Sequence, residues 1–194
     1  VNSFEGMFNG AVSFNQDIGN WRTHNVTNTR LMFRGANAFT IDIGNWDTSH
    51  VRDMHAMFSL ADNFNSDISG WDVSIVTNFG RMFEQAIIFN QDIGQWDTSN
   101  ANNISHMFEG ADEFNQDIGD WDVSGVTNMS NMFKNANQFN ADLTSWCVTN
   151  IIQSANFNIG SSLSNDNLPI WGTCPLRNNN LLGKPIAPEV RVSD

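Results

Sequence analysis

Tryptophan recurs in this chain every 25 residues: Trp21, Trp46, Trp71, Trp96, Trp121 and Trp146 hold that interval without slippage. Met32-Phe33, Met57-Phe58, Met82-Phe83, Met107-Phe108 and Met132-Phe133 keep the same beat. A strict period of this size constrains the fold more than any other feature, because one such unit cannot bury its own apolar face and must stack on the next. The expected architecture is an α/β solenoid of six coils over residues 1–150.

Residues 101–125 illustrate the unit. Ile104, Met107, Phe108 and Ala111 stand at helical spacing with Gly110 in the position of a helix stop, which predicts one short helix or 3-10 segment. Phe114 and the turn-forming Asn115 and Asp117 follow, then Ile118, Trp121 and Val123, whose last two apolar positions alternate as in a strand. Twelve of the 15 phenylalanines fall in two columns, Phe8 to Phe133 and Phe14 to Phe139. Stacked at the coil spacing, each contributes about 1.5–3 kcal/mol when fully buried.

The ends depart from the pattern. Val1 aligns with Val26, Val51, Val76 and Val126, so the chain opens in the middle of a coil; the expectation is that more repeats precede it or another chain covers that face. After Trp146 the repeat decays, and residues 151–175 read as a C-terminal cap. Trp171 lies one period beyond Trp146 without its flanking motif, as coincidence or a degenerate last coil. Residues 176–194, with Pro185 and Pro188 opposing helix, read as an extended tail or linker. Cys147 and Cys174 suit a loop-closing disulfide, which implies an oxidising setting, against the alternative of two free thiols.

Nine basic against 21 acidic residues give a net charge of −12. Such a surface repels phosphate backbones and anionic headgroups, which makes nucleic acid and membrane surfaces poor partners and favours cations and basic proteins. No run of about 18 apolar residues is present, so no membrane insertion is expected.

Because coils repeat at about 4.7–4.9 Å, every polar column becomes a ladder. Asp17, Asp42, Asp67, Asp92, Asp117 and Asp142 form one, four residues before each tryptophan, with the structural role of accepting turn N–H groups. Asp47, Asp72, Asp97 and Asp122 form a second directly after the tryptophan, in a row that Arg22 starts and Cys147 ends. Carboxylates near 5 Å apart repel by about 1 kcal/mol in water, so the second row requires compensation from a ligand, a cation or the solvent. Calcium fits only if turn carbonyls assist, since it takes six to eight oxygens; no cofactor is otherwise expected. The Asn15, Asn65, Asn90, Asn115 and Asn140 column reads as an internal ladder that satisfies backbone groups. His24, His50, His55 and His106 fall in four different columns, so neither a histidine metal site nor histidine catalysis is expected.

Val126-Thr-Asn-Met-Ser-Asn-Met-Phe133, followed by Phe139-Asn and the Asp-Ile-Gly-x-Trp-Asp motif of residues 117–122, closely resembles the 25-residue repeats of BspA-type leucine-rich-repeat surface proteins. The likeness covers residues 1 to about 150, and the Trp171-Gly-Thr-Cys-Pro175 ending is similar to the family's usual terminus. It implies a right-handed, leucine-rich-repeat-like coil and an extracellular or cell-surface location. It also implies adhesion or binding in place of catalysis, and it carries no catalytic residues. The expected ligand surface is the concave strand face, with Asn45, Asp47, Asp72, Gln95, Asp97, Asp120 and Asp122 meeting a protein or glycan. The alternative is a protomer of a fibre, sheath or surface layer that self-assembles through its first coil and its tail.

Overall fold

Backbone hydrogen bonds join positions about one period apart, and they account for most of the architecture. The computed structural model describes residues 1–175. Parallel bridges run through Ser3, Asn28, Asp53, Asn78, Asn103 and Asn128, one residue from each unit. Beyond each bridge, alternate N–H groups reach the following unit: Thr29 donates to the Asp53 carbonyl at 3.1 Å, Leu31 to His55 at 2.9 Å, Phe33 to Met57 at 2.9 Å and Gly35 to Ser59 at 2.7 Å. The N–H groups between them turn back three residues, Met32 to Thr29, Arg34 to Leu31 and Ala36 to Phe33. The Met-Phe segment is thus a chain of turns whose backbone is shared between the unit and its neighbour.

That geometry places two columns in the left-handed region. Leu31, Ala56, Arg81, His106 and Asn131 have φ between 52° and 59°, and the column of Gly35, Leu60, Gln85, Gly110 and Asn135 shares this conformation. For a residue with a Cβ this conformation costs roughly 1–2 kcal/mol, which the bonds to the adjacent unit must offset. Glycine relieves the cost at Gly10, Gly35 and Gly110, and asparagine, which tolerates the region best among the rest, occupies Asn131 and Asn135.

The Ile118–Val123 stretch, read from sequence as strand, is bent twice. Trp121 N–H closes a turn on the Ile118 carbonyl at 3.1 Å, and Val126 N–H closes another on Val123 at 3.0 Å. The cause is local: Asp117 and Asp122 each draw in the N–H two residues on, at Gly119 and Ser124, so the chain cannot stay extended. Side chains make the links between units here. Each indole donates to an isoleucine carbonyl of the preceding unit, Trp46 to Ile18, Trp71 to Ile43, Trp96 to Ile68, Trp121 to Ile93 and Trp146 to Ile118, at 3.0–3.3 Å. Thr48 and Thr98 hydroxyls reach forward to the Asp72 and Asp122 carbonyls.

Inside the stack run the aromatic columns. Phe58 and Phe64 stack face to face with ring centres 3.8 Å apart, and each repeats onto the next unit's ring at 5.8–5.9 Å, Phe83 and Phe89. The same pair recurs from Phe33–Phe39 to Phe133–Phe139. Rings stacked with an offset are worth about 0.5–1.5 kcal/mol beyond their burial, and Phe33, Phe58, Phe83 and Phe108, like Phe39, Phe64, Phe89 and Phe114, have a stacked ring in the unit on either side. Ala36, Ala61, Ala86, Ala111 and Ala136 are fully buried beside them.

Residues 151–175 lie on the sixth unit with the same bonding. Asn131, Phe133 and Asn135 donate to Ala155, Phe157 and Ile159, and Leu143 and Val148 donate to Asn167 and Thr173. Trp171, one period beyond Trp146, is half-buried and packs edge-on against Phe157, which in turn meets Phe133 edge-on. The short 3-10 segment Asn165–Asn167 belongs to this stretch. Cys147 and Cys174 are joined by a disulfide that ties it to the sixth unit. The expected tail, 176–194, lies outside the described residues.

Candidate functional site

Two polar surfaces stand out on this scaffold, and they are built differently. The first is the aspartate edge. In the six-member row, the Oδ1 atoms of Asp17, Asp42, Asp67, Asp92, Asp117 and Asp142 accept the N–H two residues on at 2.9–3.0 Å. The residue reached is usually glycine for a steric reason: a Cβ on Gly44 would come within 2.6 Å of the Asp67 carbonyl in the next unit. All six aspartates are exposed.

In the second row, Asp47, Asp72 and Asp122 accept both the N–H and the hydroxyl of Ser49, Ser74 and Ser124, and Asp97 accepts the Ser99 N–H. The Ser74 hydroxyl bond, then its N–H, holds the Asp72 carboxyl below the ordinary carboxylate range, although burial and the neighbouring Asp47 charge push the other way. Ser49 does the same for Asp47, with smaller help from His50 and His24. Much of the repulsion along the row is therefore met inside each turn. Asn45, Asp47, Asp72, Gln95, Asp97 and Asp120 are exposed and Asp122 half-buried. The asparagine column bonds across units as well, Asn65 Oδ1 accepting from Asn90 N–H, Asn90 from Asn115 and Asn115 from Asn140. Beside Asp47 a small pocket is lined by Thr23, Thr29, Trp46, Thr48, Met54 and Trp71, where the buried Thr23 hydroxyl has no partner.

The second surface varies between most neighbouring units. Arg81 pairs with Glu84, whose other oxygen accepts the Ser59 hydroxyl at 3.1 Å. In the next unit His106 Nδ1 meets Glu109 Oε2, and Lys134 Nζ, one unit further, lies 2.8 Å from Glu109 Oε1. His106 Nε2 sits 3.4 Å from both Arg81 Nη2 and Asn131 Nδ2. Both of those groups carry N–H donors, while Nδ1 faces the Glu109 carboxylate. Burial acts to raise the Glu109 carboxyl, but the hydrogen bonds and charges of Lys134 and His106 outweigh it and hold the group below its ordinary value. Alongside, burial and then the Arg30 charge lower the pKa of His55, whose Nδ1 is buried without a partner over Gly80.

One donor atom from each of Glu84, His106 and Glu109 lies within 4.8 Å of the others. Comparing histidine columns with one another misses this group. Its signal was a carboxylate column at 84 and 109 together with a histidine three residues before the second carboxylate.

The family described as "Mycoplasma protein of unknown function, DUF285" matches residues 1–71 and again 63–171. No curated protein and no solved structure matches the chain.

Proposed function

The chain belongs to the DUF285 family, and on that premise we propose that it is a non-enzymatic extracellular or cell-surface binding or adhesion module. In this reading it is a right-handed, leucine-rich-repeat-like solenoid of the BspA type that meets a protein or glycan ligand along its aspartate edge. The observation that carries the proposal is the row Asp47, Asp72 and Asp97. These carboxylates are exposed, recur once per unit, and have one oxygen pinned by the N–H two residues on. Pinned side chains lose little freedom on binding, so a cationic or hydroxyl-rich partner would meet a pre-ordered array at reduced entropic cost. Asn45, Gln95 and Asp120 flank the row with amide and carboxylate groups.

The test is to replace Asp47, Asp72, Asp97 and Asp122 together by asparagine. Asparagine retains the Oδ1 acceptor that each turn uses while removing the charge, so the fold is kept. Binding to immobilised basic proteins and to a glycan array is then measured across a salt series. The expected outcome is loss of binding together with loss of its salt dependence. Equal binding by parent and variant would remove the aspartate edge from the function.

A further inference from the structure

The Glu84–His106–Glu109 group lies away from the aspartate edge, and its composition differs from any other cluster among the described residues. It combines one imidazole with two carboxylates at mutual distances a single ion can span. We propose that these three side chains form a binding site for a divalent transition-metal ion of the zinc type.

Three observations support the assignment. The first is donor chemistry: imidazole nitrogen with carboxylate oxygen suits zinc and its neighbours, whereas calcium takes six to eight oxygens and this group offers too few. The second is access, since the side chains of Glu84, His106 and Glu109 are 16%, 21% and 14% exposed, sheltered yet open to solvent. The third is what already sits there. Each carboxylate holds a cation, Arg81 on Glu84 and Lys134 on Glu109, and both of these are surface side chains at 40% and 36% exposure. The cationic ends reach solvent, which competes for them, so a divalent ion can displace both side chains into water. His106 offers Nε2 as its ligand atom, which Arg81 Nη2 and Asn131 Nδ2 approach at 3.4 Å. The Ser59 hydroxyl fixes one Glu84 oxygen, the type of supporting contact that orients a ligand.

The chain supplies its own templates for fold-preserving variants. His106 and Asn131 share a column and a left-handed backbone, as do Arg81 and Ala56, so His106→Asn and Arg81→Ala both have precedent at that position. The experiment is calorimetric titration of the full, disulfide-intact chain with zinc at neutral pH after chelator treatment, with circular dichroism as a check of fold. One zinc per chain is expected, with calcium giving no heat and no competition. His106→Asn and Glu109→Gln should each weaken zinc at least about tenfold. Arg81→Ala should tighten it by about two- to fivefold, because it removes the competing cation. Zinc bound as tightly by His106→Asn as by the parent, or an affinity unmoved by Arg81→Ala, would overturn the proposal.

Discussion

Along one side of each unit the residue at a given position barely changes from unit to unit; along another it changes at most steps. Phe33, Phe58, Phe83, Phe108 and Phe133 are identical and fully buried, and Asp42 to Asp142 are identical and exposed. The series Arg30, His55, Gly80, Ser105, Ser130 and the series Arg34, Ser59, Glu84, Glu109, Lys134 show no such agreement. The difference is one of where each side chain finds its partner. A column whose side chain serves its own turn or stacks on its own kind must repeat wherever the turn repeats. A column whose partners are ion pairs is free to vary, provided that the neighbouring unit varies with it, as Glu109 does with Lys134. Exposure alone therefore does not mark a residue as functional in a repeat protein, and the row from Asp42 to Asp142 illustrates the point.

The largest effect should come from breaking a repeated column. Phe108 is fully buried and stacks on Phe83, Phe114 and Phe133. Phe108→Ala is expected to destabilise by about 3–5 kcal/mol, read as a lowered midpoint in thermal or urea unfolding. A loss as small as that of a surface substitution would mean that the stack tolerates a gap by closing over it.

A smaller and sharper contrast is available at Asp92, whose Oδ1 accepts the Gly94 N–H at 3.0 Å. Asp92→Ala leaves that N–H without its acceptor and should cost about 1 kcal/mol, while Asp92→Asn keeps the acceptor and should cost close to nothing. If both variants lose the same stability, the row acts through its charge and the turn account fails.

The smallest effect concerns pH in the varying column. His55 has a folded pKa below its ordinary value, so its neutral form contributes stability that is complete above the unfolded pKa of about 6.5 and is lost as pH falls toward the depressed folded value. Asp47, Asp67, Asp72 and Asp142 have folded values below the ordinary carboxylate range, chiefly through bonds to Ser49, Ser69, Ser74 and Thr144. Their contribution is complete above about 4 and is lost as pH falls through the depressed values. The melting temperature should therefore decline in two steps on acidification. His55→Ser, which copies Ser105 and Ser130 of the same column, should erase the upper step and leave the lower one. An unchanged upper step would assign it to another histidine.

The legible part of this protein was the part that repeats. The period, the Phe, Ile, Trp and Ala columns that fill the interior, and the turn-forming character of Asp117 and Asn115 can be read directly, because six copies of one pattern average away the accidents of any single unit. Less legible were features set by the contact between units. The bridges lie at Asn78 and Asn103, where no apolar alternation points to them, because the backbone there pairs with its own copy one unit away. Nor does sequence announce that Arg81 and His106 adopt a left-handed backbone, since isolated residues of these types rarely do. Their conformation is held by hydrogen bonds to Ser105 and Ser130, 24 residues further along the chain.

That equivalent residues meet follows from the sequence alone, because a strict period with an unburied apolar face leaves stacking as the way to exclude water. Which unequal residues meet was left to the tertiary structure. Glu84, His106 and Glu109 converge because the turn after each bridge brings positions three and 25 apart to one point. Spacing within a single unit does not contain that coincidence, which arises when the turn geometry of one unit is laid on the next.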